Sequence, residues 1–327
     1  MAEFLAVDAG GTTTRAVVVD AAGRCLGFAK SGSGNPISAG PHTAAASVAA
    51  ATAEALTAAR TDPAGIRHVV LAMAGASGLT DREVFARPLR ELGVAAAPVF
   101  RADLLATFFS GTWHEAGYAL VAGTGAAAIR VEGGDAVRVA DALGWLLGDD
   151  GSGFWIGHRV ARAVFADLDG RGPATALTPG LLAALGVEAG GGTVQGRRAT
   201  VQRAMEAVYA MRPVELARFA RLAFEAAGDA VADEIVAEAA DALVRTLDAV
   251  AAPGVTGPIV LGGGTLVGHP TLVDRIAAAR AGDGGAPEVR SVADGVVGAA
   301  VLALREGGVA VDASVFAALT RSLAALR

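Results

Sequence analysis

The sequence repeats one pattern of strand, glycine–threonine turn and strand at two places more than a hundred residues apart. In the first copy, two apolar runs rich in β-branched residues, 3–8 and 14–20, flank the turn GGTT. The second copy is YALVAGTGAAAIRVEGGDAVRVA at 118–140, which again continues through a glycine turn into a third strand. A hairpin that recurs at this distance predicts a duplicated domain.

Length and composition agree with two packed halves, which we divide into residues 1–117 and 118–327. The chain has 327 residues, more than one hydrophobic core usually holds. Apolar residues make up 53% and charged residues 18%, so disorder is not expected. Strand-like runs such as 66–75 and 97–103 alternate with helical stretches, which favours an α/β fold. The helical insertions predicted for the second half are 152–168, 175–187, 194–211, 213–227 and 229–251.

Charge and cysteine content exclude several classes of protein. The 27 basic and 33 acidic residues give a net charge of −6 without a basic run, which does not favour binding to nucleic acid or a membrane surface. Cys25 is the single cysteine, so an intrachain disulfide or a multi-cysteine metal site is excluded. The start MAEFLAVDAGG lacks the basic and apolar regions of a signal peptide, and the alanine-rich apolar stretches are interrupted. We therefore expect a cytoplasmic protein.

The first glycine turn has the composition of an anion site. Gly10 and Gly11 expose backbone N–H groups, and Thr12 and Thr13 add hydroxyl donors, so a phosphate fits there. Asp8, at the end of the first strand, would repel a bare phosphate unless Mg²⁺ lay between them, held to Asp8 through water. An ordinary β-turn uses glycine in the same way, so this turn alone leaves both interpretations open.

Two further glycine-rich turns expose backbone in the second half. The turn in the second hairpin repeats the phosphate-binding composition, so two turns facing one cleft would hold one polyphosphate from both sides. A triple glycine after a strand offers a flat surface for a ring such as adenine. These residues are Gly123, Thr124 and Gly125 in the second turn, and Gly262, Gly263 and Gly264 in the third. The P-loop and dinucleotide-binding motifs are both absent.

Four stretches, taken in order, resemble the actin-like sugar kinases and chaperone ATPases. VDAGGTTTRAVVVD and LVAGTGAAAIR resemble their first and second phosphate loops, VLGGGTLV their adenosine loop, and DGVVGAAVLAL their second connecting helix. The chain is most similar to the N-acetylglucosamine kinase family, which includes glucosamine kinases and activators of benzoyl-CoA reductase. The resemblance implies two duplicated actin-like (ribonuclease H-like) domains with a nucleotide cleft between them, and ATP with Mg²⁺ as cofactors.

The same resemblance implies roles for residues on the sugar side. In FRADLLATFF it implies that Asp103 is the catalytic base and contacts the substrate, and in GSGNPIS that Asn35 binds the sugar. GWLLGDDGSGFWIG resembles the family's sugar-side loop, with Asp149 and Asp150, and the flanking glycines favour Asp150, together with Gly148, as the ligand contact. EAAGDAVA resembles a helix junction that lies near the adenine, which implies that Gly228 does so. Residue type alone also allows a purely structural role for each of these side chains. Asp103 could be a helix N-cap, Asn35 could be a turn residue, and Asp150 could be a solvated residue of a loop.

These observations predict an ATP-dependent kinase that phosphorylates a hydroxyl, the primary C6 hydroxyl, of N-acetylglucosamine or glucosamine. Asp103 would activate that hydroxyl while the two turns hold ATP–Mg²⁺, because phosphoryl transfer depends mainly on positioning and charge neutralisation. The alternative is an ATPase of the reductase-activator or chaperone type without a sugar substrate. The activators hold an iron–sulfur cluster with two cysteines from each subunit, and the single cysteine argues against that class.

The second phosphate loop departs from the family pattern, which leaves the sugar open. Where the N-acetylglucosamine kinases tend to have polar residues that reach the sugar, this chain has Ala126 and Ala127. A site without polar contacts discriminates less between substrates. We expect a small-molecule sugar as the partner. The sequence does not decide which sugar this is, nor the oligomeric state, for which a homodimer is one option.

Overall fold

The protein is described by a computed structural model that covers residues 2–75, 81–280 and 288–327. It contains two five-stranded sheets. The first sheet has the order β3-β2-β1-β4-β5, in which β1 to β3 are antiparallel neighbours and β4 and β5 run parallel to β1. Its strands are β1 Glu3–Ala9, β2 Thr14–Asp20, β3 Cys25–Ser31, β4 Ile66–Met73 and β5 Pro98–Ala102.

The second sheet repeats the connectivity of the first. Its order is β12-β11-β6-β7-β8, again with three antiparallel strands followed by two that run parallel to the first. Its strands are β6 Gly117–Ala122, β7 Ala126–Glu132, β8 Asp135–Asp141, β11 Ile259–Gly262 and β12 Val289–Val292. The two sheets therefore confirm the duplicated α/β architecture, with each glycine–threonine turn joining the first two strands of its sheet.

Helices cover the outer face of each sheet. In the first half, α2 and α3 pack on a core that includes Leu5, Val18 and Leu71. In the second half, α5, α8 and α9 pack on a core that includes Leu120 and Leu261. The helices up to residue 280 are α1 Pro36–Ala39, α2 Pro41–Ala59, α3 Glu83–Glu91, α4 Asp103–Gly111, α5 Gly153–Asp169, α6 Leu177–Leu185, α7 Ala199–Tyr209, α8 Ala220–Glu225, α9 Ala230–Asp248, α10 Gly264–Val267 and α11 Pro270–Arg280.

Two helical predictions for the second half need correction. The helix predicted at 194–211 begins only at Ala199, because Gln195 and Gly196 adopt positive φ angles of 50° and 81°. The turn they make joins two short strands, β9 Thr193–Val194 and β10 Arg197–Arg198. The helix predicted at 213–227 is instead a 3-10 helix, Pro213–Phe219, followed by the short helix α8.

The last two helices return to the first sheet. They are α12 Val296–Glu306 and α13 Ala313–Leu326. Together with α4, helix α12 fills the space between the two sheets, in a core that joins Phe4 and Ala72 of the first sheet to Ala119 and Val260 of the second. Helix α13 packs on β3. The division near residue 117 stays a prediction, and the C-terminal helices contact the half that precedes it.

None of the helices in the three described ranges combines the length and apolarity that a membrane crossing requires.

Candidate functional site

The first glycine turn leaves a row of backbone N–H groups without a protein partner. The turn joins β1 to β2, and the N–H of Gly10 closes it by donating to Thr13 O at 3.1 Å. Among the described residues, no group accepts a hydrogen bond from the N–H of Gly11, Thr12 or Thr13. A Cβ at Gly11 would meet no atom within 4 Å, so the surface over the turn is open. Three adjacent free donors at an open surface have the geometry of an anion nest.

Asp8 lies buried at the end of β1, where the two halves of the protein meet. Its Oδ2 accepts the N–H of Gly295 at 3.1 Å and lies 3.5 Å from Nη1 of Arg15. The same arginine places Nε 3.2 Å from Oδ2 of Asp294. Burial raises the pKa of Asp8 to about 7, although the charge of Arg15 acts in the opposite direction. Because burial disfavours the charged form of this carboxyl group, a further cation beside it would stabilise that charged form.

The donor set fits a magnesium ion held mainly by phosphate and water. Across the described ranges, no group of three or more His, Cys, Asp and Glu side chains is arranged to chelate a metal. Asp8 is the carboxylate predicted to contact Mg²⁺ through water, and this assignment stays a prediction. Mg²⁺ keeps much of its hydration shell in such sites and takes further oxygens from the nucleotide.

The second glycine turn is held from behind through its carbonyl groups. Gly123 O accepts the N–H of Gly153 at 2.8 Å and the hydroxyl of Thr265 at 2.9 Å. Thr124 O accepts the N–H of Phe154 at 3.1 Å. Both carbonyls therefore point towards the start of α5, whereas in the described part of the structure the N–H groups of Thr124 and Gly125 have no acceptor. The turn thus offers donors to an anion, as the first turn does.

The third glycine segment packs directly against the second turn. Gly263 has a φ of 90°, and a Cβ there would lie 2.4 Å from Ala122 O, so only glycine fits. Gly262 ends β11 and Gly264 begins α10, with the nitrogen of Gly264 3.9 Å from the Cβ position of Gly123. The structure therefore brings the second and third predicted loops into contact.

An aromatic pair beside these loops was missed by the sequence analysis. The rings of Phe224 and His269 stack with centroids 3.5 Å apart and an interplanar angle of 6°. This stack joins the segment that contains exposed Gly228 to the chain just after α10. Burial lowers the pKa of His269, which favours a neutral ring. Only the tertiary fold reveals the pair, because the two residues are far apart in the sequence.

Asp103 is the first residue of α4 and follows β5 directly. The helix N-cap is Ala102, so Asp103 does not take the capping position that its residue type allowed. Its Oδ1 accepts the N–H of Leu104 at 2.9 Å, and burial raises the pKa of the carboxyl. Since β1 and β5 run in the same direction in one sheet, Asp8 and Asp103 lie at the end of the sheet where the carboxyl ends of these strands meet. The negative charge of Asp103 contributes to the raised pKa of Asp8.

Asn35 lies next to the first turn and caps a short helix. The N–H of Gly34 donates to Gly10 O at 3.0 Å, which ties this segment to the turn. The Oδ1 of Asn35 accepts the N–H of Ile37 at 2.8 Å as the N-cap of α1. The side-chain oxygen of Asn35 therefore has a local structural role at the turn before α1. A role in binding sugar would use its side-chain nitrogen, which donates to no group in the described part of the chain.

In the loop after β8, the inner carboxylate is Asp149 and not Asp150. Asp149 is buried, and its Oδ1 accepts the N–H of Ala126 at 3.0 Å. Asp150 is exposed, and its N–H donates to Oδ2 of Asp141 at 3.2 Å. A Cβ at Gly148 would lie 2.2 Å from Oδ1 of Asp141, so a larger residue there would require the Asp141 side chain to move. Asp150 is available to a ligand, while Asp149 is bound to the second turn.

The alanines that replace polar residues of the family pattern do not line an open surface. Ala126 and Ala127 are 4% and 7% exposed at the start of β7, and Ala126 is part of the core under α5 and α9. Their methyl groups therefore give no apolar wall to a ligand in this conformation. A separate cavity of about 1190 Å³ lies between α5, α7 and α9 and contains none of the predicted site residues.

Comparisons with known proteins show which families the chain resembles. Residues 5–303 match the model of the BadF/BadG/BcrA/BcrD ATPase family. A glucosamine kinase of Vibrio cholerae is 31% identical over 176 residues, which span 53% of this chain and 58% of that protein. An N-acetyl-D-glucosamine kinase of Dictyostelium discoideum is 28% identical over 261 residues, 76% of this chain and 78% of its own length.

Solved structures show the same fold. A proposed N-acetylglucosamine kinase from Chromobacterium violaceum has a TM-score of 0.68 at 24% identity, covering 93% of this chain and 99% of its own. A ROK family glucokinase from Streptomyces griseus has a TM-score of 0.54 at 21% identity, covering 93% and 99%. The family match over most of the chain confirms the relationship predicted from the order of the motifs. The chain belongs to the BadF/BadG/BcrA/BcrD ATPase family.

Proposed function

We propose that this protein is an ATP-dependent kinase that transfers a phosphoryl group to the primary C6 hydroxyl of an amino sugar, glucosamine or N-acetylglucosamine. The observation that carries the proposal is the shared sheet edge of Asp8, Asp103 and the first glycine turn. One carboxylate for a metal, one for a hydroxyl and free N–H donors for phosphate are the parts that phosphoryl transfer needs. The named relatives that act on amino sugars support the same substrate class.

The glycine segments would bind the nucleotide. The N–H groups of Gly11, Thr12 and Thr13, which have no acceptor in the described part of the chain, would donate to phosphate oxygens from one half. Those of Thr124 and Gly125 would do so from the other half. Mg²⁺ held through water to Asp8 would neutralise charge on the phosphates. The adenine side would be formed by Gly228, Gly262, Gly263 and Gly264.

Asp103 would act as the base. Its Oδ2 would accept the proton of the sugar hydroxyl as the hydroxyl oxygen bonds to the γ-phosphorus and the bond from that phosphorus to the β–γ bridging oxygen breaks. The proton leaves Asp103 for solvent after release, and ADP carries the electron pair of the broken bond. Burial raises the pKa of Asp103, and a base works best when its pKa approaches the working pH.

Asn35, Gly148 and Asp150 would hold the sugar. Asn35 lies one residue from the contact between Gly34 and the first turn, and its side-chain nitrogen donates to no group within residues 2–75, 81–280 and 288–327. Asp150 has an exposed carboxylate beside the second turn. A hydroxyl-rich sugar needs such donors and acceptors, and a site built on them rejects substrates that leave them unpaired.

The test is ADP release in the presence of ATP and Mg²⁺ with glucosamine, N-acetylglucosamine, N-acetylmuramate or glucose, followed by identification of the phosphorylated product. We expect ADP release to depend on an amino sugar and to fall at least a hundredfold in Asp103→Asn. Equal ADP release without sugar would identify an ATPase instead. The single cysteine, Cys25, is buried, so an iron–sulfur role remains disfavoured.

A further inference from the structure

The second phosphate loop is tied to the loop after β8 by the side chain of Asp149. Its Oδ1 accepts the N–H of Ala126 at 3.0 Å, immediately after the turn. The same oxygen would lie 2.7 Å from a Cβ on Gly125, so it packs directly against the backbone of that glycine. The Asp149 carboxylate therefore supports the chain at Gly125, whose N–H has no acceptor among the described residues and is one of the two proposed phosphate donors of this turn.

The backbone of Asp149 is itself held in an unusual conformation. It has a φ of 59°, which non-glycine residues rarely adopt, and nearby Asp141 has a φ of 62°. The N–H of Asp149 donates to Oδ1 of Asp141 at 2.8 Å, and the N–H of Asp150 donates to Oδ2 of the same side chain at 3.2 Å. Uncommon backbone conformations persist where the surroundings over-determine them, and they are concentrated at functional sites.

The neighbours of Asp149 on both sides are the predicted sugar residues. Gly148 precedes it and Asp150 follows it, whereas its carboxylate contacts the nucleotide side. A change in the conformation of residues 148–150 must therefore move the carboxylate, and with it the hydrogen bond to Ala126. The side chain of Asp149 forms a short physical link between two ligand sites.

We propose that Asp149 is a positioning residue that couples sugar binding at residues 148–150 to nucleotide binding at the second phosphate loop. The inference rests on the proposed kinase function. A sugar that orders residues 148–150 also orders Gly125 and Ala126, so the nucleotide then binds without that ordering cost. Because coupling is reciprocal, ADP increases the affinity for the sugar by the same factor.

The test measures the dissociation constant of Mg²⁺·ADP by calorimetry with and without the amino sugar that supports turnover. In the wild type we expect the sugar to tighten ADP binding by about fivefold or more. In Asp149→Ala the ratio of the dissociation constants without and with the sugar should fall to about 1, because no acceptor for the N–H of Ala126 remains. Asp149→Asn keeps an acceptor oxygen and tolerates the left-handed conformation, so it should retain most of the ratio.

Two further variants separate coupling from a merely structural role. Asp141→Ala loosens the link from its other end and leaves the Asp149 carboxylate in place, so its ratio should lie between those of the wild type and Asp149→Ala. Asp167→Ala is the matched control, because Asp167 also accepts a backbone N–H, that of Thr175 at 3.4 Å, but lies at the far end of α5. It should lower the melting temperature and leave the ratio unchanged.

The outcomes distinguish this inference from the proposed function. A wild-type protein that releases ADP without regard to sugar contradicts the kinase function itself. A sugar-dependent kinase in which Asp149→Ala keeps the wild-type ratio, or in which Asp167→Ala loses it equally, refutes the coupling role and leaves the kinase function intact. Loss of the ratio in Asp149→Ala and partial loss in Asp141→Ala, with retention in Asp149→Asn, supports it.

Discussion

Asp8→Asn should stabilise the ligand-free protein while weakening its binding of Mg²⁺·ADP. Burial raises the pKa of Asp8 from its ordinary 3.8 to about 7. At 1.36 kcal/mol for each pH unit, keeping this carboxyl ionised in the folded state costs an upper limit of about 4 kcal/mol. Asparagine removes the charge and keeps an oxygen that accepts the N–H of Gly295. The cost arises from burial, and the proposed metal contact would offset it when Mg²⁺ and nucleotide bind.

The sign of the pH dependence follows from the direction of the pKa change. Between about pH 4 and pH 7 the folded protein holds a proton on Asp8 that the unfolded chain has already released, so wild-type stability falls as the pH rises through this window. Asp8→Asn does not titrate there. The variant should therefore be more stable than the wild type by about 1 kcal/mol at pH 4.5, rising to about 4 kcal/mol at pH 8.

The assay compares thermal melting and urea unfolding of both proteins at pH 4.5 and pH 8, without nucleotide or metal. Asp135→Asn is the control, because Asp135 is an exposed residue of β8, and it should show no pH-dependent difference. Calorimetry with Mg²⁺·ADP completes the comparison. If Asp8→Asn is less stable than the wild type at pH 8, then Arg15 and Gly295 outweigh burial, and the reasoning is wrong.

Three more predictions concern the base, its titration and the third glycine segment. Asp103→Asn should lower kcat by at least about a hundredfold and leave the dissociation constant of Mg²⁺·ADP within about twofold, as measured by coupled kinetics and calorimetry; unchanged turnover would contradict the assignment of the base. Burial raises the pKa of Asp103, so the base becomes protonated and inactive at a higher pH than an ordinary aspartate would. As the pH is lowered, kcat/KM for the sugar should therefore begin to fall before the ordinary pKa of an aspartate is reached, and a pH profile that stays flat down to pH 4 would contradict the assignment of Asp103 as the base. Gly263→Ala should destabilise the protein by about 1–3 kcal/mol, because it forces a Cβ against Ala122 O at a φ of 90°, whereas Gly65→Ala meets no atom within 4 Å and should leave the melting temperature within about 2 °C of the wild type.

Much of the fold could be predicted because its signals are local. Alternating β-branched residues and a glycine turn specify a hairpin through contacts between near neighbours, and the same signal occurs in both halves. The strand β12, Val289–Val292, was missed, because four partly exposed residues give too short a pattern to detect. The start of α7 was also misplaced, because the turn at Gln195 and Gly196 depends on backbone angles that apolar periodicity does not report.

In the candidate site, too, some features could be predicted from the sequence and others could not. The glycine turns were predicted from residue types at the ends of strands, and Asp103 from the resemblance of FRADLLATFF to a segment of the sugar kinases. Parallel strands place those strand ends at the same end of a sheet. The sequence analysis favoured Asp150 as the ligand contact, but the pattern of two adjacent carboxylates did not indicate that Asp149 would be the buried one. Which of them is buried depends on the φ of 59° at Asp149 and on its hydrogen bond to Ala126.

The sequence by itself determined that two related halves present glycine-rich turns and a lone carboxylate at strand ends, because turns and strands depend on nearby residues. Only the tertiary structure decided the environment of each charge. Asp8 is buried against Gly295, Arg15 pairs with Asp294, and Phe224 stacks on His269, because helices and loops from distant parts of the chain pack there. Burial and charge pairing depend on these long-range neighbours, and no local pattern in the sequence encodes them.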